Sequence, residues 1–167
     1  TYQGGGTVLC SIVDAAFEPA SAALVETVQE AICPVGADTP DPSPNGYGIA
    51  PIGAAVDIVS ATGLTLNLVC TVTFAPGVED GVNTYGDEIR AAVAEYIKSV
   101  AKDWGNALVS NQISYPVTVY ASRIVYAILS VPEVVSVTNL TINGSSGDLT
   151  LTETSALQQV PVLGEVT

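Results

Sequence analysis

The spacing of apolar positions divides the chain into alternating and helical stretches. TVLCSIVD at 7–14 is rich in β-branched and apolar residues and predicts a buried strand. Ser21 then stands where a helix cap belongs. Leu24, Val25, Val28, Ala31 and Ile32 recur at helical spacing until Pro34 ends the run. Residues 35–48, VGADTPDPSPNGYG, mix proline with Asp, Asn and Gly and predict a surface loop. Beyond it, residues 54–60 and 64–74 flank Ala61-Thr62-Gly63. In the second segment Leu64, Leu66, Leu68, Cys70, Val72 and Phe74 alternate with Thr65, Asn67, Thr71 and Thr73. That alternation predicts an antiparallel hairpin with one apolar face.

After APGVEDGVN at 75–83, Thr84 and Asp87 suit a capping box. Ile89, Val93, Tyr96, Ile97, Val100 and Trp104 then mark one face of a long helix near 84–104. Residues 117–120 predict a short strand, and Ser122 a cap for a second, shorter helix. That helix would turn Ile124, Ala127, Ile128 and Val131 inward and end at Pro132. Val135 and Val137 share one face of the next strand, whereas Leu140 and Ile142 fall in the other phase, so a bulge is expected near Thr138-Asn139. NGSSG at 143–147 is turn chemistry between two strands. Leu149 and Leu151 resume the alternation, and VPVLGEVT reads as a short apolar arm. The expected fold is α+β, with a flexible lead-in at 1–6 and two small units at 7–76 and 77–167 joined by a short linker. Each unit has a strand, a helix and an antiparallel hairpin. The two share a rough element order but no repeat strong enough to indicate duplication.

Composition changes the picture in one respect. Of 167 residues 48% are hydrophobic and only 13% charged, about half the roughly 25% usual for a soluble domain. Surface that a neighbouring subunit covers loses charge, so an assembly component is indicated. Seventeen acidic residues face four basic ones, Arg90, Lys98, Lys102 and Arg123. The resulting field repels phosphate backbones and anionic lipid, which argues against nucleic acid as a partner. Cys10, Cys33 and Cys70 lack the paired spacing of a zinc or redox motif and are expected as buried, reduced thiols. No apolar run of membrane-spanning length and no basic leader is visible, so no membrane insertion is expected. The chain has no methionine, even at position 1, and is expected to be a piece of a longer protein.

Candidate chemistry is sparse. Without histidine, neither a Ser–His nor a Cys–His pair can be built. Glu79-Asp80, Asp87-Glu88 and Asp38/Asp41 fall in loops or at a helix start, where carboxylates serve solubility and the helix dipole. Asp38, Asp41 and Asn45-Gly46 depart from calcium-loop spacing, and Pro40, Pro42 and Pro44 constrain them. The glycines of GYGIAPIG lack the preceding strand and following helix of a phosphate loop, which favours a joint over a ligand cradle. Tyr115, Tyr120, Tyr126 and Trp104 could form an aromatic ligand surface, although Trp104 lies on the apolar helix phase. The expectation is a protein without catalytic, cofactor-binding or metal-binding residues and without a small-molecule substrate. The competing classes are a glycan- or receptor-binding module, with a concave Tyr- or Trp-lined site, and an acid-based hydrolase with two facing carboxylates.

Three stretches in order, GYGIAPIGAAVDIV at 46–59, VPEVVSVTNLTING at 131–144 and VPVLGEV at 160–166, carry a family likeness. With the intervening YASRIVYAILSV, they resemble the C-terminal half of baseplate J-like proteins, wedge components of contractile phage tails, in the branch found in Gram-positive prophages. The likeness covers residues 7 to 166. Glu133 departs from it, standing where the family commonly has glycine. The resemblance implies a structural wedge subunit, assembled in the bacterial cytoplasm and located in the virion baseplate. It also implies packing against other wedge subunits and possibly against itself. It implies no catalytic residues. Gly46, Gly48, Pro51 and Gly53 would set the route from the loop into the central hairpin.

Overall fold

Strand β1 (Thr7–Ile12) pairs in parallel with β2 (Ala55–Ser60), in the register Val8 with Val56 and Cys10 with Ile58. This computed structural model describes residues 6–35, 47–103, 108–109, 112–113, 117–152, 154 and 157–167. Parallel neighbours need a crossover, and α1 (Ala22–Ile32) supplies it. The Ser21 hydroxyl accepts from Leu24 N at 3.3 Å and starts the helix as its sequence position predicts. At the other end, Ile49 N donates to Ala31 O (3.1 Å) and Ala50 N to Ile32 O (2.8 Å). The 47–50 backbone therefore satisfies carbonyls that a helix end leaves open. Such an approach needs glycine: a methyl on Gly48 would run into the Ile32 carbonyl and the Pro34 ring. The expected joint at GYGIAPIG thus has a physical basis in a close backbone crossing.

The far edge of β2 is occupied by a side chain. Gln29 Oε1 accepts from Ile58 N at 2.8 Å, and Nε2 donates to Val56 O at 2.9 Å, as a neighbouring strand would. This first unit comprises residues 1–62 and 153–159, with Ala20, Cys33, Ile58 and Ala61 buried.

The second unit, residues 63–152 and 160–167, is built on β3 (Thr62–Phe74). β3 lies between β7 (Val134–Ile142), antiparallel to it, and β9 (Gln159–Val166). On the β9 side, Thr167 N donates to Leu68 O while Cys70 N donates to Thr167 O, the pattern of a parallel pair. The predicted alternation along β3 holds. Leu66 and Leu68 are fully buried, while Thr65, Asn67, Thr71 and Thr73 are exposed. Against the apolar face pack Ile89, Val93 and Ile97 of α2 (Gly81–Lys102) and Ile124 and Ile128 of α3 (Ala121–Leu129). Each such side chain contributes about 1.5–3 kcal/mol on burial. Two short antiparallel pairs complete the described strands: β4 (Leu108–Val109) with β5 (Gln112–Ile113), and β6 (Thr118–Val119) with β8 (Leu149–Thr150).

The α+β class stands, but the pairings differ from expectation. Residues 54–60 and 64–74 do not form a hairpin, because β2 already pairs with β1 and β3 with β7 and β9. The chain divides into its two compact units at Thr62/Gly63, just inside the start of β3. Likewise β7 is not in a hairpin with β8, which pairs with β6. Asn143 and Gly144 do make a tight turn with positive φ (51° and 78°), closed by reciprocal bonds between Ile142 and Ser145. The expected bulge is present: Val69 faces Thr141 and Thr71 faces Thr138, with Asn139 at φ 54°. The segment expected as a short apolar arm, VPVLGEV, is a paired strand of the sheet.

Both helices of this unit start differently from the sequence reading. α2 begins at Gly81, ahead of Thr84, with Asp80 at φ 56° as the cap residue. A side chain at Gly81 would strike the Phe74 ring, and the Thr84 hydroxyl bonds back to Asp80 O at 3.1 Å and makes no cap. α3 begins at Ala121 with Ser122 inside it. Its first amides are held from afar, Ala121 N by Asp148 Oδ1 (2.9 Å) and Tyr120 N by the Tyr96 hydroxyl (2.9 Å). The expected loop over 36–46, Trp104 and Tyr115 lie outside the described residues.

Three substitutions test these contacts. Gly48→Ala is expected to destabilise the protein by about 1–3 kcal/mol through overpacking. Gly86→Ala, in the interior of α2 with no atom within 4 Å of the added methyl, should stabilise by about 0.5–1 kcal/mol. Urea unfolding of both variants reads the opposite signs. Asp148→Ala should cost about 1 kcal/mol by uncapping α3, measured in the same way.

Candidate interaction surfaces

The solvent face of β3 is a row of neutral polar and aliphatic side chains: Thr65, Asn67, Val69, Thr71 and Thr73 are all exposed. Beside them on β7, Val135 and Thr138 are exposed as well. The amides of this face hold the sheet in register. Asn67 Oδ1 accepts from Glu165 N on β9 at 3.0 Å, while Asn143 Oδ1 accepts from Asn67 N (2.8 Å) and Asn143 Nδ2 donates to Thr65 O (3.0 Å). β9 must lie close for this, and a side chain at Gly164 would strike Asn67 and Thr65.

A second apolar surface lies on the joint itself. Tyr47, Ile49 and Ile52 are 83%, 77% and 83% exposed, although the backbone at Ile49 and Ala50 is tied to the end of α1. Gly53, at φ +92°, then turns the chain into β2. Gly46 lies outside the described residues, so the route is set by Gly48, Pro51 and Gly53, and it leads into a parallel strand instead of a hairpin.

The carboxylates are dispersed in structural roles. Asp14 Oδ1 accepts from Ala16 N and Glu18 N in the turn after β1, and Asp80 Oδ2 accepts from Asn83 Nδ2 at 2.7 Å. Glu79, Asp80, Asp87 and Glu88 are exposed around the start of α2. Among the described residues no charged or polar residue is buried, and no group of His, Cys, Asp or Glu could hold a metal. Asp38 and Asp41 fall outside them.

All three cysteines are expected to be buried, but Cys10 is exposed, Cys33 is buried and Cys70 is intermediate. Cys10 shares a face with buried Ile58, but α1 packs on β2 and leaves the β1 side of that face open. Burial pushes the Cys70 thiol above its ordinary range. Tyr96 is also raised, chiefly by burial, with its bond to Tyr120 N acting the other way.

Among the described residues of the second unit lie an apolar cavity and an open cleft. Cys70, Val72, Phe74, Val82, Ile89 and Val166 line an apolar cavity of about 120 Å³. Tyr96, Ser99, Asp103, Thr118, Tyr120 and Arg123 line an open cleft of about 240 Å³. The periodicity of α2 places Tyr96 inward, but the cleft also needs the β6–α3 junction, which no local pattern reveals. Tyr126 is exposed apart from it.

Charge is unevenly shared. All eight charged residues of the first unit are acidic, whereas Arg90, Lys98, Lys102 and Arg123 all belong to the second. No helix among the described residues is long and apolar enough to cross a membrane.

No protein-family model matches the chain. It is 31% identical over 166 residues to the "Phage-like element PBSX protein XkdT" of Bacillus subtilis (strain 168), a match that covers 99% of this chain. The same identity and coverage hold for the "Uncharacterized protein YqbT" of that strain. The chain spans 40% of the length of each of these curated relatives. It is thus related, over nearly its whole length, to a protein of a phage-like element.

The raised thiol and phenol make stability fall at alkaline pH. At neutral pH both groups are protonated in folded and unfolded chains alike. As pH rises past their ordinary values, the unfolded chain releases these protons more readily, so unfolding is favoured until the raised folded values are passed. Urea titrations from pH 7 upward should show stability declining from about pH 8.5, the free thiol range. Cys70→Ser should blunt the first part of the decline.

Proposed function

We propose that this chain is a structural, non-catalytic part of a contractile phage tail or prophage baseplate, a wedge component that works by packing against other proteins. The observation that carries this reading is the similarity over 99% of the chain to a protein of a phage-like element. The order of GYGIAPIGAAVDIV, VPEVVSVTNLTING and VPVLGEV supports the finer assignment to the baseplate J-like group. The uncharged Thr, Asn and Val face of β3 and β7 suits a covering subunit, since charged residues are depleted at the centres of protein interfaces. Its partners would be neighbouring wedge subunits, and its location the virion baseplate, assembled in the bacterial cytoplasm. A part that both assembles and rearranges depends on interfaces of moderate strength.

One observation favours a second reading, a glycan- or receptor-binding module. The cleft of Tyr96, Tyr120, Ser99, Thr118, Asp103 and Arg123 combines aromatic faces with converging polar groups. On this reading Tyr120→Ala abolishes glycan-array binding, whereas on the first no glycan binds.

The test of the main reading is location. Tails purified from the cells that encode the chain should contain it, with an antibody marking the baseplate end, and deleting its gene should leave tails without a complete baseplate. Complete tails lacking the protein would refute the assignment.

A further inference from the structure

The two edges of the β1–β2 pair are treated differently. Ala55 N bonds to Gly6 O and Ala61 N to Ile12 O, so the even-numbered residues of β1 turn their peptide groups to β2. Leu9 and Ser11 therefore turn theirs to the other side. Among the described residues no strand pairs there, whereas the opposite edge, on β2, is closed by Gln29. The usual protections of an open edge are absent: TVLCSI contains no charge, no proline and no glycine, and its register with β2 runs without a bulge. Val8 and Cys10 expose an apolar shoulder next to this edge. A two-stranded parallel pair is an incomplete sheet, since parallel strands ordinarily lie within larger, covered ones.

The charge of this unit selects the occupant. Every charged residue in it is acidic. A second copy would meet like charge, while an extended segment flanked by lysine or arginine would be attracted and held in register. We propose that the Leu9–Ser11 edge of β1 takes an additional strand from a basic-flanked segment of another subunit, by strand addition. Main-chain hydrogen bonds would hold the strand, and its apolar residues would cover Val8 and Cys10. This rests on the packing role proposed above and names the partner's chemistry.

The probe is a synthetic peptide, Lys-Lys-Val-Thr-Val-Thr-Val-Lys-Lys, added to the 167-residue chain. Amide hydrogen exchange is followed by NMR and mass by light scattering. The chain alone should be monomeric, with rapid exchange at the Leu9 and Ser11 amides. The peptide should slow both by about tenfold or more, and its binding should weaken with salt. Glu-flanked peptide, and Lys-flanked peptide N-methylated at alternate residues, should not bind. The N-methylated control leaves the protein unaltered, so no folding defect can imitate the result. Equal binding of either control, no protection by the Lys-flanked peptide, a dimer with a protected edge, or an edge already protected in the isolated chain would each overturn the proposal. If the chain is present in tails but fails the peptide test, the edge assignment is lost and the tail role kept. Peptide binding by a chain absent from tails gives the reverse.

Discussion

The second unit depends on β3 serving two neighbours and a core at once. A central strand must pair along both edges, and it can bury only one face without losing the alternation that separates core from surface. Leu66 and Leu68 meet the second demand. The first is met partly by side chains: Asn143 bonds to the β3 backbone at Thr65 and Asn67, and Asn67 reaches the β9 backbone at Glu165. These amides continue the ladders where the backbone departs from them, at the Asn143-Gly144 turn and beside Gly164. The bulge at Thr138–Asn139 follows from the same constraint, since β7 must change phase to keep both its ends against β3.

What could be read from the sequence was whatever repeats within one element. The alternation from Leu64 to Phe74, the existence of α1, α2 and α3, the Ser21 cap and the phase change in β7 are all local, and all are present, although Ala31 of the expected α1 face is exposed. Pairing was not legible, because a strand's partner is chosen by the whole chain. The Ala61-Thr62-Gly63 segment resembles a hairpin turn, yet β2 and β3 enter different sheets. The starts of α2 and α3 were not legible for a related reason. A hydroxyl near the expected boundary is a sensible guess, but Asp148 lies 27 residues from the amide it holds, and Tyr96 lies 24 from its own. The cleft at Tyr96 and Tyr120 was beyond sequence reading on the same grounds. Exposure of Cys10 was missed because alternation assumes a cover over the entire apolar face, and α1 covers only the β2 side.

Neutral surfaces and acidic composition can be reconciled by where each lies. The β3 face uses threonine and asparagine, whose hydroxyls and amides remain soluble in water and can bond a neighbour without the desolvation penalty of a buried charge. Val69 and Val135 add apolar area among them. Such a face binds firmly only when a complementary surface excludes water, which suits contacts that must form during assembly. Several of the acids lie instead at turns and helix starts, where Asp14, Asp80 and Asp148 satisfy backbone or amide donors.

The first unit follows a different logic. Among its described residues the buried set is small, four residues of which two are alanine, so these gain little from burial compared with those of the second. Gln29 and the 47–50 backbone compensate by closing one strand edge and one helix end with hydrogen bonds, devices that supply order without a large core. The same devices leave β1 as the place where a gain remains to be made. Adding a strand there would pair the Leu9 and Ser11 peptide groups, which no strand among the described residues pairs, and cover Val8 and Cys10, so this edge has most to gain from a partner.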